Sequence, residues 1–296
     1  MIHVGVAGWA YRDWEGIVYP RKKGRGFHGL GHLAGFLDLM EVNSSFYALP
    51  RPEHAESWLE RTRREPGQEP FRFTAKLHQG FTHGEPLDDA AFAQAAVAFQ
   101  ESLAPLHASD RFSALLAQFP VSLARTPEAE RRLARLAEAF TGWKLALELR
   151  HRTWFEPDAL ESLRGLGVSL LHIDLPSARD HPPERFPATG PLGYLRLHGR
   201  NANQWFRRGA GRDARYDYLY DEAELDHVEA VTRGLAEEHD EVLVVTNNHF
   251  EGQAVVNALE LRARLEGDAV AAPAELVQRY PRLDSCTRRR GQGELF

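Results

Sequence analysis

Seven side chains of this sequence could move protons or hold a charged ligand if the fold brought them together. Glu41, Glu148 and Asp174 are acids, Lys76, Arg150 and Arg196 are bases, and His198 titrates closest to neutral pH. Each falls at the C-terminal end of a short apolar run. Acids set beside bases in a concave, partly desolvated site are what general acid/base catalysis uses. A buried ion whose partner is removed costs about 3 to 5 kcal/mol, so these groups either cross-pair or await a charged ligand. A satisfied ion network capping a core fits the same residues, and at this level the two readings look alike.

The elements that would position them are eight strand-like runs: Ile2 to Ala7, Leu39 to Asn43, Phe71 to Leu77, Phe112 to Phe119, Lys144 to Arg150, Val168 to Asp174, Gly193 to His198 and Glu241 to Asn248. Helical stretches alternate with most of them, at Glu53 to Arg64, Asp88 to Leu103, Pro127 to Phe140, Pro157 to Leu163, Asp221 to Glu238 and Gly252 to Leu265. Thr126 before Pro127 and Glu128 is a capped helix start. The pattern predicts an α/β protein with a single (β/α)8 TIM-like barrel over residues 1–270, followed by a polar tail, 271–296, packed loosely or disordered. The length of 296 residues suits one such barrel.

Strand parity then sorts the faces, because alternate side chains point into the barrel. With Leu145, Leu147 and Leu149 under the helices, Ala146, Glu148 and Arg150 point inward; with Leu195 and Leu197 outside, so do Tyr194, Arg196 and His198. The same count predicts Glu41 and Asn43, Thr74 and Lys76, Leu116 and Gln118, and His172 and Asp174 inside. The connections 8–38 and 198–221 are long and follow strands, which places them at the face where barrel enzymes keep their chemistry.

Composition excludes some classes. A net charge of −6 with 43% hydrophobic and 26% charged residues is that of an ordinary globular chain rather than a disordered or generally basic one. The single Cys286 allows no internal disulfide, and the start carries no leader pattern, so the sequence reads as cytoplasmic with no membrane partner.

Several stretches resemble the YecE-like family, known as domain of unknown function 72. They are Gly8-Trp9-Ala10-Tyr11-Arg12-Asp13-Trp14 with Tyr19-Pro20, Met40-Glu41-Val42-Asn43-Ser44-Ser45-Phe46-Tyr47, the Phe73 to Lys76 strand with Thr82-His83, Glu148-Leu149-Arg150 with Trp154, the Asp174 strand end, Tyr194-Leu195-Arg196-Leu197-His198-Gly199, and Asn247-Asn248-His249 before Gly252-Gln253-Ala254. The resemblance spans most of the chain and implies a TIM barrel without an established reaction. Thr246 stands where the family often carries an aromatic.

The chemistry expected of such a mouth is acid/base, hydrolase or lyase in type, on an anionic, phosphate-bearing polar substrate or nucleotide. Glu41 or Glu148 would be the general base, His198 a proton donor or acceptor and Lys76 an electrostatic stabiliser, with Asp174 in the same set. Trp9, Tyr11, Asn43, Tyr47, His83, Gln118, Arg150, Arg196, Gly199, Asn247 and Asn248 would bind substrate. The ends of strands seven and eight and the start of the Gly252 helix form the corner where barrels often hold phosphate. No cofactor is predicted, although Glu41, Glu148, His172, Asp174 and His198, with His249, offer ligands for a divalent ion in a hydrolase or isomerase. Two other readings concern partners. Arg200 to Tyr220 interleaves Arg200, Arg207, Arg208, Arg212 and Arg215 with Trp205, Phe206, Tyr216 and Tyr218, which suits either a lid or a DNA contact. The terminal Gln292-Gly293-Glu294-Leu295-Phe296 matches, at Gln292, Leu295 and Phe296, the peptide by which bacterial repair and replication proteins dock on the sliding clamp. Gly24-Arg25-Gly26-Phe27-His28-Gly29 spells a dinucleotide fingerprint, but no strand precedes it and it is set aside.

Overall fold

A computed structural model describes residues 1–176, 178, 181–207, 209 and 211–289. Its strands are β1 (Ile2–Ala7), β2 (Leu39–Val42), β3 (Arg72–Lys76), β4 (Phe112–Gln118), β5 (Leu145–Glu148), β6 (Ser169–Leu170), β7 (His172–Asp174), β8 (Leu192–Leu197) and β9 (Glu241–Thr246). All pair in parallel in the order β6-β5-β4-β3-β2-β1-β9-β8-β7. Since β6 and β7 are the two halves of one stave, interrupted only at Leu171, the ends of this sheet meet. The barrel closes there: β6 pairs with β5, β7 pairs with β8, and the Leu192 N–H donates to Ser169 Oγ at 3.0 Å. The eight expected strands are all present, one of them divided.

Side-chain alternation explains the two cores. Leu39, Ala114, Leu116, Ala146, Leu171, Leu192, Tyr194, Leu243 and Val245 fill the barrel interior. Leu147, Leu149, Leu170, Leu195 and Leu197 belong to the larger core beneath the helices. The helices begin where local chemistry allows. At α5 (Pro127–Ala139) the Thr126 hydroxyl accepts from the Ala129 N–H, and at α9 (Glu222–Glu238) Asp221 and Glu224 form a reciprocal capping box. The helices α2 (Pro52–Arg61), α4 (Asp89–Ala108), α6 (Pro157–Gly165) and α10 (Gln253–Glu266) complete those expected from periodicity. Short helices were not legible: α1 (Gly29–Ala34), α3 (Gln79–Thr82), α7 (Ala202–Trp205) and α8 (Arg212–Tyr216) span too few turns to show a period.

Two expectations need correction. The described part of the tail is folded, not loose: Val270–Ala272 pairs with Thr287–Arg289, and α11 (Ala274–Arg279) buries Leu276 and Val277, with Leu283 buried beyond it. Leu276, Val277, Tyr280 and Leu283 recur at one-face helical spacing, a signal masked by the prolines and arginines around them. In the sixth stave, the Leu171 side chain joins the interior core, so His172 and Asp174 point outward, in register with Leu195 and Leu197. Among the described residues no helix is long and apolar enough to cross a membrane.

The β1–β2 contact leaves no room for a side chain at Gly5, where a Cβ would fall 1.8 Å from the Leu39 carbonyl oxygen. Gly5→Ala should therefore cost at least about 1–3 kcal/mol of stability, as overpacking does. Urea unfolding measures it, and a variant as stable as the parent would contradict the closeness of these strands.

Candidate functional site: an ion-paired floor beneath an aromatic-walled mouth

Arg196, from β8, reaches across the barrel to both interior acids. Its Nε donates to Glu41 Oε2 at 3.0 Å and its Nη2 to Glu41 Oε1 at 2.7 Å, a bidentate pair, while Nη1 donates to Glu148. Glu148 also accepts from Arg150, whose Nε lies 2.7 Å from Oε1. Tyr194 donates its hydroxyl to Glu41 Oε2 at 2.8 Å and lies 3.0 Å from Thr74 Oγ1. Glu41 and Glu148 are wholly buried and Arg196 is 1% exposed. Burial opposes ionisation of Glu148, but Arg150 and Arg196 outweigh it and hold the carboxyl well below its usual range. Burial likewise opposes the Arg196 charge, and Glu148 and Glu41 outweigh it. Two acids and two guanidinium groups thus neutralise one another.

His198 belongs to this floor. Its Nε2 lies 3.5 Å from Glu148 Oε2, and its Nδ1 accepts from the Asn247 amide at 3.1 Å. Burial pushes its pKa down to about 4 despite the neighbouring carboxylate. Lys76 differs from the other strand-end cations. Among the described residues no carboxylate lies within ion-pair distance of it; its Nζ donates to Gln118 Oε1 at 2.6 Å and sits 4.0 Å above the Phe46 ring. Burial, then the Arg196 charge, lower its pKa to about 8, with Glu148 and Glu41 acting the other way.

Above the floor opens a cavity of about 300 Å³. Of the residues expected to act there, Trp9, Tyr11, Asn43, Tyr47, Lys76, Gln118, Arg196 and Asn247 line it. Gly8, Ala10, Ser44, Tyr216 and His249 line it too. Of these, Tyr216 comes from the 198–221 connection, whose aromatics allowed it to be read as a lid. Tyr11 stacks on His249, centroids 4.5 Å apart, and donates its hydroxyl to the Ala7 carbonyl. Trp14 is buried and fixes the His249 carbonyl through Nε1 at 2.7 Å, and Tyr216 packs on Trp205 and His249.

Other expected residues are elsewhere. Glu41, Glu148 and His198 lie beneath the cavity rather than on its wall, Arg150 flanks Glu148, and His83 stands edge-on to Phe46. Asp174 is on the outer face, bound by Arg200 Nε at 2.9 Å and by the Tyr220 hydroxyl at 2.7 Å; Arg200 also meets Glu224. His172 stacks on Phe186 at 4.0 Å. Leu170 and Leu171 are both apolar, so their stave carried no parity signal and polarity alone misplaced its end. Asn248 donates to the Tyr218 carbonyl and to Asn257 Oδ1, holding α10 against the barrel. Gly199, at φ +87°, donates to the Tyr220 hydroxyl, and a Cβ there would meet Tyr218 at 2.6 Å. Among the described residues no three His, Cys, Asp or Glu side chains group as metal ligands: His172 and Asp174 are on the outer face, and the Arg196 guanidinium lies between Glu41 and Glu148. Arg208 and the terminal Gln292, Leu295 and Phe296 lie outside the described residues.

Two expected outcomes follow from these environments. Arg196→Met leaves buried Glu41 without a cation and Glu148 with Arg150 alone, so it should cost about 3–5 kcal/mol at neutral pH; unfolding free energies equal to the parent's at pH 7 would contradict the network. His172 is held neutral, mainly by burial, with its pKa lowered to about 4 from 6.5. Between those values the unfolded chain binds the proton that the fold rejects, so stability rises with pH through that window and is lost as pH falls. His172→Phe, which keeps the stack on Phe186, should flatten the slope between pH 4 and 6.5; an unaltered slope would contradict the assignment.

Comparison with known proteins gives a consistent result. The family model described as "Protein of unknown function DUF72" matches residues 3–280. The chain is 29% identical over 283 residues to the UPF0759 protein YunF of Bacillus subtilis, covering 90% of this chain and 95% of that one. Crystal structures of DUF72 family proteins superpose on it: one from Enterococcus faecalis with a TM-score of 0.76 and 27% identity, covering 90% of this chain and 96% of that one. Another, from Thermotoga maritima, gives 0.75 and 29%, with 90% and 99% covered.

Proposed function

The chain belongs to the DUF72 family, and from the geometry of its barrel mouth we propose an enzyme that applies acid/base chemistry, hydrolase or lyase in type, to a small anionic polar molecule. One observation carries this reading. Once Arg196 and Arg150 have neutralised Glu41 and Glu148, Lys76 is left on the cavity wall with a neutral partner, Gln118. A cation with no counter-charge in a partly desolvated cavity attracts an anion and, with its pKa near 8, exchanges protons close to neutral pH.

Arg196 supports such a ligand indirectly. Its forked donors face the two acids, which fixes the guanidinium at the cavity floor as a stationary positive pole. Glu41, Glu148 and His198 are then positioning groups, and the proton transfers fall to Lys76 and groups on the wall. The ligand's anionic group is read as a carboxylate rather than a phosphate. The corner beyond β8 and β9 already uses its donors internally: Gly199 N–H on Tyr220, Glu251 N–H on Asp13, and Arg200 on Asp174. A single compensating cation also suits a monoanion better than a dianion. Trp9, Tyr11 and Tyr216 offer aromatic surface to the rest of the molecule, and Asn43, Asn247 and His249 offer polar groups.

Thermal unfolding with a panel of small carboxylates and their amides tests the charge reading. A carboxylate present at a hundred times its Kd should add about 2.7 kcal/mol of stability, the matched amide should add far less, and Lys76→Met should abolish the difference. Equal shifts for acids and amides, or shifts that survive Lys76→Met, would contradict it.

A further inference from the structure

We propose that Lys76 is a nucleophile that forms an imine with the carbonyl carbon of a small aldehyde or ketone seated in the mouth. This rests on the reading of the mouth as an active site and names its substrate class. The chain holds four lysines, Lys22, Lys23, Lys76 and Lys144, against 32 arginines. Where it needs a permanent cation at a strand end it uses Arg150, Arg196 or Arg200, each tied to a carboxylate. In the cavity wall it uses a lysine, which unlike arginine can lose its proton. The surroundings favour that loss. The charged groups around Lys76 are Arg196 and Arg150, which oppose its charge, and Glu41 and Glu148, which favour it but are already engaged by those two guanidinium groups. His83 also feels Lys76 and has its pKa lowered, first by burial and then by that charge. Phe46, facing the ammonium at 4.0 Å, favours the charged form. Gln118 Oε1 accepts a hydrogen bond from Nζ in either state and so orients the nitrogen without demanding its charge.

The step balances without a cofactor. The neutral Nζ adds to the carbonyl carbon as the carbonyl π bond breaks, and one proton passes from Nζ to the carbonyl oxygen, giving a neutral carbinolamine. Loss of that hydroxyl with an Nζ proton releases one water and leaves the C=N bond. Protonated, the imine draws electrons from an adjacent C–H or C–C bond, which is the lyase end of the proposed activity.

Trapping on the full-length protein tests the inference. The protein is incubated at pH 8 separately with glycolaldehyde, glyoxylate, pyruvate and dihydroxyacetone, treated with sodium borohydride, and mapped by peptide mass. Hydride reduces an imine to a secondary amine, so each adduct adds the mass of the carbonyl compound less one oxygen. At pH 8 about half of a group with pKa 8 is neutral, against under about 1% for an ordinary lysine. At least one compound should therefore label Lys76 about tenfold or more above Lys22, Lys23 and Lys144, which serve as internal controls. Lys76→Arg should lose the label while keeping the carboxylate-dependent thermal shift. Labelling spread evenly over the lysines, or sparing Lys76 with all four compounds, would overturn the inference. If carboxylates still stabilise the protein in that event, the anion site stands and only the imine falls. Label on Lys76 without any carboxylate preference would instead uphold the imine and remove the charge reading.

Discussion

Arg196 is the constraint on which the interior depends. A guanidinium held between two fully buried carboxylates is tolerable only because every charge finds a partner with directed hydrogen bonds; removing any member leaves an ion in a medium that solvates it poorly. Its reach from β8 to β2 and β5 ties three staves together above the apolar layers. Tyr194 and Thr74 extend the network to β3, and His198 and Asn247 extend it to the end of β9. What the aliphatic side chains do for the lower barrel, this network does for the top.

That arrangement separates two tasks within one cavity. The floor is neutral as a whole and withdrawn from solvent, and directed hydrogen bonds hold its charges. The wall is aromatic and polar and carries Lys76, which among the described residues has no carboxylate within ion-pair distance. Preorganised poles below and a titratable group beside the ligand are what acid/base catalysis requires of a protein. The connection 198–221 adds to the same cavity by bringing Tyr216 over it, while Tyr218 and Tyr220 anchor the connection's far end against Glu224 and Asp174.

The barrel could be read from the chain because its strands alternate cleanly. Leu145, Leu147 and Leu149 against Ala146 and Glu148, or Leu195 and Leu197 against Tyr194 and Arg196, leave one consistent choice of face. Glu41, Lys76, Gln118, Glu148 and Arg196 were therefore placed inside by parity alone. The same rule failed at Val168 to Asp174, where Leu170 and Leu171 put apolar residues on both faces. There polarity misled, because Asp174 is needed outside to hold Arg200 and Tyr220. Depth was not legible either: no spacing tells that Glu41 and His198 lie under the cavity while Lys76 reaches it. That distinction comes from which acid meets which guanidinium across the barrel, a matter of tertiary pairing. The folded tail was missed because the prolines and arginines around Leu276, Val277, Tyr280 and Leu283 masked their helical spacing.

The ion-paired floor leaves Lys76 with a neutral partner, Gln118, and a pKa lowered to about 8. Following the side-chain carbon resonances of the four lysines against pH in the intact protein, with Lys76 assigned through Lys76→Arg, tests it most directly. The Lys76 resonance should titrate near 8. A Lys76 resonance titrating at the free side chain's value of about 10.4 would contradict it.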